Sequence, residues 1–289
     1  MRAGDLAELV RLPAALTVPG DAWSGAAHAG GSGRAWAMPA SSVLLYWSGM
    51  ALNDWADRDL DARERPERPI PSGRVPAQQA LAVALGLGAG GLAMSALVGG
   101  PRALRVSAPL AGLVGLYDVV AKESALGPVV MAGTRGLDVL LGASTGDDVA
   151  AAWAPAVAGT AHTVALTALS RGEVHGSTAL AACLAAATTG AVAAFGVVGA
   201  LRDTAAPPHH RAAGALLSIG YAAVVGRAQL AVATSPDAAT VRRATGAGIA
   251  GFPLLQSSWL ARRGRWGAVA AVLGARPALR AASRRMSTT

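Results

Sequence analysis

Four aspartates fall within eight residues in the stretch Asn53-Asp54-Trp55-Ala56-Asp57-Arg58-Asp59-Leu60-Asp61, at the end of an apolar segment of a chain only 15% charged. On a helix Asp54, Asp57 and Asp61 stand at i, i+3 and i+7, which sets three carboxylates along one face. Like charges so placed repel unless a cation joins them. The hard divalent ion that suits such oxygen ligands is Mg²⁺, usually held by one or two carboxylates together with substrate phosphates. Asn53 is placed to orient a metal-bound water or a phosphate oxygen. Arg58, Arg68 and Arg74 offer forked donors for diphosphate oxygens, and Lys122 offers a point charge. The competing reading is a solvated helix end whose acids pair with neighbouring bases.

A second group lies further along the chain. Asp138 and Arg135 sit inside an apolar span, where ionisable groups are costly and are functional candidates by default. They are three residues apart, so they either neutralise one another or line a cavity. The loop Ser170-Arg171-Gly172-Glu173-Val174-His175-Gly176 brings one carboxylate, one guanidinium and one imidazole. Arg171 and Glu173 either pair at a membrane interface or serve a ligand, with His175 completing the site or acting as a base. His162, alone on an apolar face, is expected to find a backbone partner. The single cysteine, Cys183, excludes an internal disulfide and a Cys-based metal site. No HExxH occurs, and the glycine-rich patches lack the strand–turn–helix setting of a nucleotide site.

The elements that position these residues are membrane helices. Of 289 residues, 53% are hydrophobic and mean hydropathy is +0.41. The apolar residues come in blocks of the length that crosses a hydrocarbon core of about 30 Å. Nine spans are expected near 6–28, 36–53, 77–98, 103–120, 125–144, 150–169, 177–201, 211–233 and 239–260, forming an all-α bundle. The net charge of +8 resides in short loops and the C-terminus. With few aromatic residues to stack bases, it points to anionic lipid and membrane orientation and away from nucleic acid. The arginines of 54–76 place that loop in the cytoplasm. The same parity brings the Tyr117–Ser124 turn, the Glu173 loop and the segment around Asp237–Arg243 to that face. Nine crossings leave the basic tail 263–289 outside, against the charge rule; a partial or interfacial helix at 266–283 would resolve this. No linker divides residues 1–262, which are expected to form one domain.

Asn53-Asp54-x-x-Asp57-x-x-x-Asp61 followed by Arg68-Pro-Ile-Pro-Ser-Gly-Arg74 resembles the first signature of the UbiA superfamily of intramembrane prenyltransferases. Tyr117 with Lys122 resembles that family's turn after the fourth helix, and Gly133-Thr-Arg135-Gly136-Leu-Asp138-x-x-Leu-Gly142-Ala143 its fifth helix. The resemblance implies nine helices around a central cavity open to lipid. It also implies Mg²⁺-dependent ionisation of a prenyl diphosphate and capture of the carbocation by a small aromatic or lipid-like acceptor. Asp54, Asp57, Asp61 and Glu173 would be metal ligands, with Lys122 also catalytic. Asn53, Arg58, Arg68, Arg74, Tyr117, Arg135, Asp138, Arg171 and His175 would bind substrate. The chain departs from the family at the second acidic motif, where Glu173 stands in place of a DxxxD-type pair. That departure keeps open an alternative: a non-catalytic relative that binds or transports a hydrophobic metabolite. Either protein is expected in the cell membrane with its active face cytoplasmic.

Overall fold

The computed structural model describes residues 1–275 and 277, and among them every regular element is helical. The helices are α1 (Ala3–Leu9), α2 (Pro19–His28), α3 (Met38–Ala56), α4 (Arg58–Glu64), α5 (Ala77–Leu116), α6 (Gly127–Ala143), α7 (Trp153–Ser170), α8 (Ala179–Arg202), α9 (Pro208–Thr234), α10 (Ala238–Arg262) and α11 (Trp266–Gly274). The eight later expected spans all carry helix. The first does not form one rod. It is α1, a 3₁₀ stretch Leu12–Thr17 and α2, because Pro13 and Pro19 withhold the amides a continuous helix needs.

The α5 segment is a hairpin of two arms. Gly100 turns the chain with φ +63° and ψ −151°, a conformation that glycine adopts without a Cβ clash. The buried hydroxyls of Ser95 and Ser107 meet at 2.7 Å across the two arms. On one straight helix they would be about 18 Å apart.

Helices pack in a closed series: α3 on α5, α5 on α6, α6 on α7, α7 on α8, α8 on α9 and α9 on α10, which returns to α2 and α7. The stretches 77–121, 149–170, 179–202 and 208–234 are long and apolar enough to cross a membrane. Helix α10 reads as more polar because Ala250–Arg262 is buried against protein, so Gln256, Ser257 and Ser258 are covered by other helices and not by lipid. Two glycines let α2 and α6 touch backbone to backbone. A Cβ on Gly25 would lie 1.8 Å from the Val139 carbonyl oxygen, and one on Gly142 would lie 1.8 Å from that of Ala22. This close approach delivers α6, with Arg135 and Asp138, to α2. The expected helix at 266–283 begins as α11; its remainder and most of the basic tail lie outside the described residues.

Candidate active site

The aspartate motif does not lie on one uninterrupted helix. Helix α3 ends at Ala56, Asp57 takes φ −86° and ψ 0° at the joint, and α4 restarts at Arg58. Helical bonds still bridge the joint: the Asp57 amide donates to Asn53 at 2.9 Å and the Asp61 amide to Asp57 at 2.8 Å. The carboxylates therefore divide. Arg68 Nη1 donates to both Asp54 (3.4 Å) and Asp61 (2.6 Å), and Arg11 Nη2 reaches Asp54 at 2.8 Å. Asp57 instead accepts from Lys122 Nζ, which also lies 3.4 Å from Asn53 Oδ1. Asp54 and Asp61 are buried. Among the described residues no three His, Cys, Asp or Glu side chains converge on one point. Each carboxylate already faces a cation, and the set suits a divalent ion that arrives with phosphate oxygens of its own.

The other expected residues are placed as follows. Arg58 lies over the Trp55 ring, 5.0 Å from its centroid, and donates to the Trp55 carbonyl. Arg74 holds the N-terminal segment, with bonds of 2.7 and 2.9 Å to Glu8 and 3.0 Å to Asp5. The Arg2 backbone amide, and then the Arg74 guanidinium, hold the Asp5 carboxyl below its ordinary range. Arg171 is exposed and donates to the carbonyls of Lys122 and Ser124, clamping the two loops together. Among the described residues it makes no ion pair with Glu173, so the simple pairing at a membrane interface does not form. Glu173 lines the central cavity, and its carbonyl accepts from Arg242 at 2.6 Å. His175 is exposed and outside the cavity lining.

The cavity encloses about 450 Å³, with walls from α3, α5, α6, α7 and α10. Tyr117, Arg135, Asp138 and Glu173 line it, and Arg11 connects it to the aspartate rim. Among the described residues Arg135 and Asp138 form no direct ion pair with one another. Arg135 pairs with Asp21 at 2.7 Å and donates to Thr17 Oγ1 at 2.9 Å, while Asp138 accepts from the Ser42 hydroxyl. Gln256 completes the group through Asp21 at 2.8 Å. His162 finds a side-chain partner, the Tyr221 hydroxyl at 2.8 Å, and stacks on Phe252 with centroids 4.7 Å apart.

Sequence reasoning passed over Arg11, Asp21, Gln256 and Asp118. The available signal was their rarity: each is a polar side chain in an apolar stretch. Asp118 follows Tyr117 directly in the π-helical turn Tyr117–Ala121, and it is buried against the cavity.

The fold recurs in known proteins. The sequence model of the UbiA prenyltransferase family matches residues 14–284. A digeranylgeranylglyceryl phosphate synthase of Natronomonas pharaonis is 32% identical over 154 residues, covering 52% of this chain and 56% of the relative. A 4-hydroxybenzoate octaprenyltransferase of Cupriavidus necator is 41% identical over 64 residues, 22% of each chain. The chain thus matches 56% of the length of the first of these relatives and 22% of the second. A UbiA homologue from Archaeoglobus fulgidus, solved bound to GPP and Mg²⁺, superposes with a TM-score of 0.66 at 15% identity, covering 92% of this chain and 99% of its own.

Proposed function

This chain belongs to the UbiA prenyltransferase family and is an integral membrane protein, and on that premise we propose that it transfers an isoprenoid group from a prenyl diphosphate to a small aromatic or lipid-like acceptor. The observation that carries the reading is the join between rim and cavity. Asp54, Asp57, Arg68 and Lys122 stand where α3 ends, and Arg11 links them to an apolar chamber. Such a layout holds a diphosphate at the mouth and an isoprenoid chain inside.

Arg68 and Lys122 bind and orient the diphosphate, and their charge stabilises it as it leaves. Arg11 lies at the inner edge of the same group, and Asn53 fixes the Lys122 ammonium. Mg²⁺ would be held by one or two of Asp54, Asp57 and Asp61 together with the oxygens of the diphosphate, with Glu173 in the lining of the same cavity, and it would neutralise the departing charge. Leu45, Met50, Leu110 and Val114 enclose the chain and keep water from the reacting carbon. Tyr117, Arg135 and Asp138 line the path on which an acceptor enters. The arginines at 58–74 support a mouth on the cytoplasmic side of the cell membrane.

The test is diphosphate release from labelled prenyl diphosphates by the detergent-purified protein, with a membrane extract as acceptor source. The expected result is Mg²⁺-dependent release that Asp54→Asn abolishes while the variant stays folded and extractable. Full activity in Asp54→Asn would remove the rim from the chemistry. Tight binding without release from the wild type would make the protein a carrier of prenylated metabolites.

A further inference from the structure

We propose that Asp118 is a catalytic residue of this site: its carboxylate takes the proton that an acceptor sheds on being prenylated. The inference rests on the prenyl-transfer reading and adds the proton-transfer step to it.

Any acceptor that captures an allylic cation is left with one proton too many, whether it attacks through a hydroxyl oxygen or a ring carbon. The C1–O bond of the prenyl diphosphate breaks with its electron pair going to the diphosphate. The acceptor supplies the pair for the new bond to C1, and its O–H or C–H proton must leave. In a chamber built to exclude water, a carboxylate beside the reacting carbon can receive it in competition with the departing diphosphate.

Asp118 is 2% exposed and lines the cavity. Among the described residues no donor hydrogen-bonds to its carboxylate, and its nearest ammonium, on Lys122, is engaged by Asp57. Its carboxylate opens onto the cavity, where a bound acceptor can reach it. The local backbone makes room for it. A Cβ on Gly49 would stand 3.1 Å from Asp118 Oδ2 and 2.6 Å from Val114 Cγ1, so glycine there lets the carboxylate lie against α3. Gly49 is one helical turn before Asn53, about 6 Å along the axis. Asp118 thus lies just inside the diphosphate-binding rim, at the depth of the first carbons of a chain anchored there. Asp138 is a poorer candidate: its Ser42 partner is seven residues further down α3, about 10 Å deeper.

The experiment uses the full-length protein in detergent with GPP, and supplies in turn 4-hydroxybenzoate and a glyceryl phosphate ether lipid with one free hydroxyl. Asp118→Asn is expected to bind Mn²⁺ with GPP as the wild type does, by electron paramagnetic resonance, and to transfer about 100-fold more slowly or worse. Formate added to Asp118→Ala is expected to restore part of the rate, because a small base can occupy the vacated space. Wild-type transfer by Asp118→Asn would overturn the assignment. So would loss of Mn²⁺ binding in that variant, which would make Asp118 a metal ligand, or failure of formate to raise the Asp118→Ala rate. If the wild type itself turns over neither acceptor while GPP stays intact, the prenyl-transfer reading falls and takes this one with it.

Discussion

Two arginines of the same motif do different work. Arg68 is 20% exposed and spans Asp54 and Asp61, whereas Arg74 is 39% exposed and grips Asp5 and Glu8. Arg68→Ala should raise the KM for prenyl diphosphate at least tenfold, the scale of one lost charge-assisted bond. Arg74→Ala should leave turnover within about twofold and instead speed tryptic cleavage in the N-terminal segment, an effect added salt would imitate. Acid acts at the same place. Because the folded-state carboxyl of Asp5 is held below its ordinary value of 3.8, its contribution is complete above that value and disappears as the pH falls through the lowered one. Proteolysis rates should therefore stay flat from neutrality to about pH 4 and rise below it. A rise already beginning at pH 6 would point to another group.

At the scale of elements, α2 and α6 depend on each other's glycines. Gly25→Ala or Gly142→Ala places a methyl where a carbonyl oxygen stands, and backbone can move aside only by parting the helices. Overpacking of this kind costs roughly 1–3 kcal/mol and sometimes more, so either variant should melt several degrees lower in detergent. Activity should fall too, because Arg135 and Asp138 ride on α6. A thermal shift assay would show it, with Gly112→Ala, where a Cβ meets nothing within 4 Å, as the neutral control. The helices themselves were legible from apolar block length, and the turn at Gly100 from the gap between two blocks. Which faces meet was not. Glycine is abundant throughout the chain, and nothing in composition separates Gly25 from Gly112. The pairing of Arg135 also escaped, because Asp138 is its neighbour in sequence while Asp21 is its neighbour in space. Arg11 escaped for a similar reason: its partner Asp54 is 43 residues away.

The whole molecule makes a claim about sidedness. The rim, the Arg171 clamp and the Asp237 cap of α10 are expected on one side, and the loop around Asp203 on the other. Cys183 is exposed on α8, so Cys183→Ser should be harmless and leave a cysteine-free background. In that background, His175→Cys should react with a membrane-impermeant maleimide only after cells are opened, and Thr204→Cys should react in intact cells. The reverse pattern would invert the protein and put its site outside. Sequence supplied this parity through the arginines of 58–74, and the tail that argues against it lies mostly beyond the described residues.

The buried group around Asp21 also has a history that begins before the molecule is complete. Asp21 takes one bond from Arg135, 114 residues later, and another from Gln256, 235 residues later. At a synthesis rate of roughly 5–20 residues per second, the aspartate leaves the ribosome several seconds to tens of seconds before either partner exists. During that interval α2 carries a lone carboxylate that hydrocarbon does not tolerate. The nascent chain must keep α2 at the wet edge of the bilayer, or in the care of the insertion machinery, until α6 arrives. Chains that stop short of Arg135 should never seat their first helices, and the cell should clear them as unfinished.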